Sequence, residues 1–316
     1  MALDHRPVAN RIASTDDADI LLVNGAIEEH FDKFLWSALS SRKRKLSSLY
    51  LILVTSGGSA NAAFRAARHV QGMYGQFRAV VPGWCKSAGT LVCVGATEII
   101  MADLGELGPL DVQLMKPDDL GGRLSGLTLD SALRSLQTLT FNYFETFFTE
   151  TIRKSNGQIT TKTSADIASA LTIGVMQPIF AQVDPVRLGE DYRSTSIAKE
   201  YAARLDLKYK NLVVDQDWRA IDLLVGGYPS HDFVIDRQEA QALFRRVRPL
   251  EGDLSELVTI LGEVAVYPRA AARGEPPLVE FLNDEVQNAI APAAPSPPRG
   301  KRGPGAKGSA GRKSSS

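Results

Sequence analysis

Cysteine is scarce in this chain of 316 residues, since Cys85 and Cys93 are the only two. Two cysteines cannot build a disulfide framework or a four-cysteine zinc site, and their scarcity fits a reducing compartment. We expect both to be buried, unreactive thiols. Histidine is also sparse, with four residues: His5, His30, His69 and His231. They show no metal-ligand spacing, so we predict no metal site.

Long apolar stretches and nucleotide-binding motifs are missing as well. No segment approaches the roughly 18 apolar residues that a membrane span needs, and the first residues do not resemble a signal peptide. We therefore expect a soluble, cytoplasmic protein. The motif G-x-x-x-x-G-K-[ST] does not occur, and the G-x-G-x-x-G match at 303–308 follows no predicted strand, so the sequence predicts no nucleotide or other cofactor.

The chain has no net charge, because 36 basic residues balance 36 acidic ones, but the distribution is uneven. Residues 288–316 contain six cations and no acid, which leaves 30 basic against 36 acidic residues in the body. An acidic body argues against a nucleic-acid-binding surface as the main function. The segment 288–316 has no large apolar side chain after Ile290, so we predict a disordered basic tail that makes weak, salt-sensitive contacts with polyanions.

Hydrophobic patterning predicts the α/β fold class. Apolar runs at 20–23, 49–54 and 77–82 read as strands and alternate with helical segments, which is typical of a parallel sheet covered by helices on both faces. After about residue 130 the pattern is mainly helical, with starts near Ser131, Ser164 and Thr195 or Ser196, and a D-x-x-E capping signal at Asp236. We divide the chain into a polar N-terminal extension (1–18), one domain (19–287) and the tail (288–316).

Two loops follow predicted strands at the sheet edge where α/β proteins bind ligands. The first loop reads Thr-Ser-Gly-Gly-Ser at 55–59, and the second reads Lys-Ser-Ala-Gly-Thr at 86–90. Paired glycines can leave backbone amides free to face a substrate oxygen, and a serine at a helix start lies where developing negative charge is stabilised. Each loop alone also fits an ordinary turn or a helix N-cap. The α/β-hydrolase motif G-x-S-x-G is absent, because Cys85 precedes Ser87 by two residues.

Four motifs together resemble the Clp/crotonase superfamily. They are Ser-Gly-Gly-Ser at 56–59, Lys-Ser-Ala-Gly-Thr at 86–90, Leu-Gly-Pro-Leu-Asp-Val-Gln at 107–113 and Ser-His-Asp-Phe-Val-Ile-Asp at 230–236. The chain is most similar to the serine dehydrogenase proteinase (SDH) family of Clp-fold serine proteases, which are SppA-like, over about 18–250. The resemblance implies repeated ββα units, a homo-oligomer, and hydrolysis of peptide or protein substrates through an acyl-enzyme. By position, Ser87 would be the nucleophile, and the amides of Gly58 and Ala88 would form the oxyanion hole.

The general base stays open. Clp proteases use a histidine about one strand after the serine, but this chain has Leu110, Asp111 and Val112 there. SppA-like proteins resemble serine–lysine dyads, yet the cation at the analogous helix start is Arg134, which cannot accept a proton usefully. We retain Asp111, Lys162 and His231 as candidates for the base or for a group that orients it. Other lysines remain open as well: Lys86, Lys116, Lys154 and Lys199.

Two further functions compete with the peptidase. A crotonase-like acyl-CoA enzyme would also hold a carbonyl oxygen with two backbone amides, but it needs no serine nucleophile. A degenerate protease that serves as an oligomeric scaffold would explain the missing histidine and the arginine at the lysine position.

Overall fold

The computed structural model describes residues 4–110, 113–115, 123–215, 219–270 and 275–285. The chain divides into two units, 1–285 and 286–316. The second unit, which contains the predicted tail, lies outside the described residues, as does Asp111.

A six-stranded sheet forms the centre of the first unit, and its strands in spatial order are β10 (Leu278–Phe281), β1 (Ala18–Asn24), β2 (Ser48–Val54), β3 (Gln76–Val81), β5 (Glu98–Met101) and β9 (Val247–Pro249). Every pairing is parallel except that between β10 and β1. All residues of the interior strands β1 and β2 are buried, which is why their sequences contain uninterrupted apolar runs. The predicted mostly parallel α/β fold is therefore confirmed.

Helices cover both faces of this sheet. One face packs against α2 (Phe31–Ser41), α3 (Ala60–Met73) and α4 (Ala88–Val94), and the other packs against α1 (Arg6–Asp16) and α10 (Gly252–Leu261). Helix α1 lies in the segment that the sequence analysis described as a polar extension. Its apolar row is short, but Val8, Ala9 and Ile12 are buried against the sheet. Residues 6–16 therefore belong to the folded core.

The second half is mainly helical, as predicted. Its helices are α5 (Gly126–Lys154), α6 (Thr161–Phe180), α7 (Pro185–Asp206), α8 (Ala220–Asp222) and α9 (Arg237–Leu243). Helix α7 begins about ten residues before the predicted start, because Pro185 suits a first helical position and the Asp184 carboxylate accepts the Val186 N–H at 2.9 Å. The capping signal is confirmed, since Asp236 Oδ1 accepts the Glu239 N–H at 2.8 Å.

Short strands complete the described structure. They are β4 (Trp84–Cys85), which pairs in parallel with β6 (Glu106–Leu107), and a hairpin of β7 (Gln113–Met115) with β8 (Arg123–Ser125). Within the residues described, no helix is both long and apolar enough to cross a lipid bilayer.

Candidate active site

The two glycine- and serine-containing loops meet at the carboxyl ends of the parallel strands. The Thr55 N–H donates to the Trp84 carbonyl at 2.8 Å, and the Lys86 N–H donates to the Thr55 carbonyl at 3.0 Å. These bonds extend β2 alongside β4 and hold Gly57 against Ser87. A Cβ added at Gly57 would lie only 2.7 Å from Ser87 Cβ and 3.3 Å from Ser87 Oγ. The structure thus brings together the two loops that the sequence analysis singled out separately.

Ser87 has an unusual backbone conformation, with φ 50° and ψ −114°. A positive φ is strained for a residue with a Cβ, and this ψ also lies outside the left-handed helical region. Such strain costs about 1–3 kcal/mol and persists only where the surrounding structure imposes it. Strained backbone of this kind clusters at active sites, and a strained strand-to-helix turn is how hydrolases expose a serine nucleophile.

The Ser87 hydroxyl does not cap the helix that follows it. Ser87 occupies the N-cap of α4, yet its side chain makes no capping hydrogen bond. Ser59 shows the ordinary arrangement at the start of α3, where its Oγ accepts the Ala62 N–H at 3.3 Å. Among the described residues, Ser87 Oγ has no hydrogen-bond partner, and the residue is only half-buried. The hydroxyl is therefore free to act on a ligand.

Two backbone amides beside Ser87 are also free of partners within the described part of the chain: those of Gly58 and Ala88. The Gly57 carbonyl accepts the Ile27 N–H at 2.8 Å, and the Ser59 N–H donates to the Ile27 carbonyl at 2.6 Å. These two bonds hold the loop while the intervening Gly58 N–H makes none. Gly58 has φ 140°, and an added Cβ would lie 2.3 Å from the Ile27 oxygen. Ala88 is the first residue of α4, so its N–H has no partner inside the helix.

Thr90 ties α4 to the segment after β6, a role that the sequence analysis missed. Its fully buried hydroxyl donates to the Gly108 carbonyl at 2.8 Å and lies 3.1 Å from the Gly108 nitrogen, whose N–H donates to it. Gly108 in turn packs on the nucleophile, since a Cβ there would lie 3.2 Å from Ser87 N. Thr90 is thus a positioning residue for the wall beside Ser87. The only sequence signal was its place at the end of the Lys-Ser-Ala-Gly-Thr motif.

We expect Thr90→Val to slow the reaction of Ser87 with a fluorophosphonate several-fold. Valine keeps the shape of threonine but leaves two buried polar groups of Gly108 unpaired, which costs about 1–3 kcal/mol and releases the wall. The second-order labelling rate of the folded variant is the measurement. Thr90→Ser restores the hydroxyl and should restore the rate, whereas a purely structural role would lower the melting temperature and leave the labelling rate unchanged.

We expect Gly57→Ala to lower the same labelling rate on the order of 100-fold, because misplacing a reacting group by about 1 Å has an effect of that size. Alanine would be strained at φ 106°, and its Cβ would displace the Ser87 side chain. Gly72→Ala is the matched control, because nothing lies within 4 Å of a Cβ added there. Equal labelling rates for Gly57→Ala and wild type would contradict the close packing of Gly57 on the nucleophile.

Three of the candidate bases lie in different segments of the fold. Lys86 Nζ forms an ion pair with Glu106 Oε2 at 2.6 Å, which engages its ammonium group. His231 lies in a turn that is closed by a hydrogen bond of 3.2 Å from the Phe233 N–H to the Ser230 carbonyl. This turn is close in sequence to Ile235, which pairs with Leu107. Lys162 lies exposed on the first turn of α6. No hydrogen bond joins Ser87 Oγ to a lysine, histidine or carboxylate of the residues described, so the identity of the base stays a prediction.

The two cysteines lie directly behind the nucleophile. Cys85 Sγ and Cys93 Sγ are 3.7 Å apart, and both residues are fully buried. Burial, followed by the contact with Cys93, raises the pKa of the Cys85 thiol well above its usual value. The prediction that both cysteines are buried is confirmed. Because a protonated, inaccessible thiol is a poor nucleophile, they act as packing residues.

A cavity of about 180 Å³ adjoins the glycine loop at Ser56. The charged residues that line the cavity are Glu28, Arg269 and Glu275. Asn24 also lines it, and the Asn24 Oδ1 atom accepts a hydrogen bond from the Arg269 N–H at 2.8 Å. The cavity opens beside the loop that carries the Gly58 amide.

Comparison with known proteins gives short or partial similarities. No family model matches the chain. A segment of 64 residues is 39% identical to an uncharacterized protein of Methanocaldococcus jannaschii, and it covers 20% of this chain and 22% of that protein. The chain thus matches about a fifth of the length of this curated relative.

Two solved structures of the membrane-bound stomatin-specific protease 1510-N are similar to parts of the chain. One variant has a TM-score of 0.29 and 17% identity, covering 48% of this chain and 68% of that chain. Another variant, in complex with a substrate peptide, has a TM-score of 0.26 and 21% identity, covering 34% of this chain and 50% of that chain.

Proposed function

We propose that this protein is a serine peptidase that cleaves peptide bonds through an acyl-enzyme on Ser87. The observation that carries the proposal is the strained backbone of Ser87 combined with a hydroxyl that caps nothing. A structural serine at a helix start would adopt ordinary φ and ψ values and accept an N–H from the first turn, as Ser59 does.

The mechanism begins with attack of Ser87 Oγ on the carbonyl carbon of the scissile bond. A base takes the hydroxyl proton, and Asp111, Lys162 and His231 remain the proposed candidates for that base or its orienting group. In this proposal the amides of Gly58 and Ala88 donate to the oxyanion, and each such donor contributes about 3 kcal/mol to transition-state stabilisation. Proton transfer to the leaving amine breaks the C–N bond, and water then hydrolyses the ester.

Peptides or proteins are the proposed substrates, and no metal or nucleotide takes part. We also expect a homo-oligomer, as the resemblance implies. The contact of the basic tail with polyanions stays a prediction, and so does a cytoplasmic location.

Labelling with a fluorophosphonate tests the proposal without knowledge of the natural substrate. We expect the full-length wild-type protein to react, and mass spectrometry of its peptides should place the adduct on Ser87. Absence of labelling in the folded, assembled protein would argue for the scaffold, and saturable binding of an acyl-CoA without labelling would argue for the crotonase-like enzyme. An adduct on another serine would contradict the proposed nucleophile.

A further inference from the structure

Helix α6 leaves most of its large apolar side chains exposed, and apart from Met176 it buries small or polar ones. The buried row is Ser164, Ala168, Thr172 and Met176, and the hydroxyls of Ser164 and Thr172 have no hydrogen-bond partner among the residues that the structure describes. A second row has the same spacing of four residues, and its first three members each stand one position before a buried residue in the sequence. The side chains of this second row are 39–47% exposed: Ile167, Leu171, Val175 and Ile179. A helix of a globular protein normally buries its largest apolar side chains, so this row lacks a packing partner within the described part of the single chain.

Helix α5 continues the same exposed face. None of its side chains from residue 132 to 154 is fully buried, and Leu139 and Tyr143 are 42% and 37% exposed. Each of the two stands one position before a partly buried residue, Thr140 or Phe144. The exposed row of α6 has the same relation to the buried row of α6. Two antiparallel helices joined by a short turn are related by a local twofold axis, so these flanks lie on the same side of the hairpin. We call the resulting surface the hairpin face: Leu139, Tyr143, Ile167, Leu171, Val175 and Ile179.

The chemistry of this face argues for an apolar, uncharged partner. Residues 167–183 contain no charged side chain, so nothing on α6 beyond Asp166 would attract a charged ligand such as a nucleic acid. Contiguous apolar surface of this kind marks an interaction site in soluble proteins.

We propose that the hairpin face docks against the hairpin face of a second copy of this chain, so that two hairpins form a four-helix bundle. A twofold contact uses the same patch on both subunits, and a helical hairpin with one apolar side is half of such a bundle. With these exposed fractions, the six side chains of the hairpin face together expose on the order of 500 Å² to solvent. A subunit in a standard interface contributes about 800 Å², of which a little over half is apolar, so the face has the area that a stable dimer needs. This inference extends the expected self-association by assigning its surface.

Sedimentation velocity of the full-length protein tests the proposal. The wild type should sediment as a dimer or a multiple of it, whereas Leu171→Glu/Val175→Glu should sediment at the monomer mass of 34.2 kDa. Two buried carboxylates should raise the dissociation constant about 100-fold or more. The matched control is Ile173→Glu, because Ile173 is 60% exposed on the opposite flank of the same helix, and it should leave the dimer intact.

Crosslinking keeps the proposal testable if the double variant fails to fold. Val175→Cys should give a covalent dimer with a bis-maleimide and Ile173→Cys should not, since the two native cysteines are fully buried. A monomeric wild type would overturn the proposal, and so would a folded double variant that remains dimeric. A monomer that floats with neutral phosphatidylcholine vesicles would assign the face to a bilayer instead. These readouts do not involve Ser87, so their failure is distinct from failure of the proposed peptidase activity.

Discussion

Replacing Ser87 by alanine should abolish fluorophosphonate labelling and reduce peptide hydrolysis by a factor on the order of 10⁶ in kcat. The variant loses the atom that forms the ester, while the amides of Gly58 and Ala88 stay in place. Any residual rate would come from the oxyanion hole and substrate binding alone. The measurement is the turnover of an unstructured protein such as casein, together with the labelling stoichiometry.

The control for this experiment is Ser41→Ala. Ser41 is an exposed serine at the end of α2, and its hydroxyl donates to the Ala38 carbonyl at 2.8 Å. This variant should be labelled and should cleave casein as the wild type does. If Ser87→Ala retained wild-type cleavage, the nucleophile would have to be another group, and the strained conformation of Ser87 would need a structural explanation.

Removing the Asp19 carboxylate should cost about 3–5 kcal/mol of unfolding free energy, the usual result of leaving a buried charge unpaired. Asp19 is fully buried and accepts hydrogen bonds or an ion pair from Arg42 at 2.7 Å, Tyr74 at 2.8 Å and the Leu46 N–H at 3.1 Å. Asp19→Ala would strand the buried Arg42 guanidinium, which also bonds the carbonyls of Asn283 and Asp284 after β10. We therefore expect β10 to detach first. Urea unfolding followed by circular dichroism measures the loss.

An exposed ion pair gives the matched comparison. Arg6 and Asp284 are 2.7 Å apart, but their side chains are 59% and 53% exposed. Exposed pairs contribute about 0–1 kcal/mol, so Arg6→Ala should change the unfolding free energy far less than Asp19→Ala. Similar losses for the two variants would show that the buried network around Asp19 does not hold the sheet edge together.

Much of the central sheet could be predicted because its strands are buried on both faces. Uninterrupted apolar runs at 20–23 and 49–54 leave few alternatives to strands in a covered parallel sheet. Helix α1 could not be found in the same way, because its buried face amounts to Val8, Ala9 and Ile12 among polar neighbours. The carboxyl-terminal strand β10 was missed for a similar reason, since four residues at a sheet edge carry little periodicity.

The candidate site divides along the same line. The glycines at 57 and 58 and the serine at 87 could be singled out because glycine after a strand and serine before a helix have few physical uses. Their mutual contact could not be read from the chain, since it depends on the pairing of Thr55 with Cys85. The role of Thr90 was equally hidden, because its partner Gly108 lies 18 residues away in sequence.

The amino-acid sequence by itself determined the α/β class, the two loops at the strand ends and the apolar character of residues 167–183, because these follow from local composition and periodicity. Only the tertiary structure decided that the Ser87 backbone is strained, that its hydroxyl caps nothing and that the Gly58 and Ala88 amides have no partner among the described residues. It also decided which apolar side chains of α5 and α6 stay in solvent. Such properties depend on hydrogen bonds and packing between segments far apart in the chain, and no local pattern of residues encodes them.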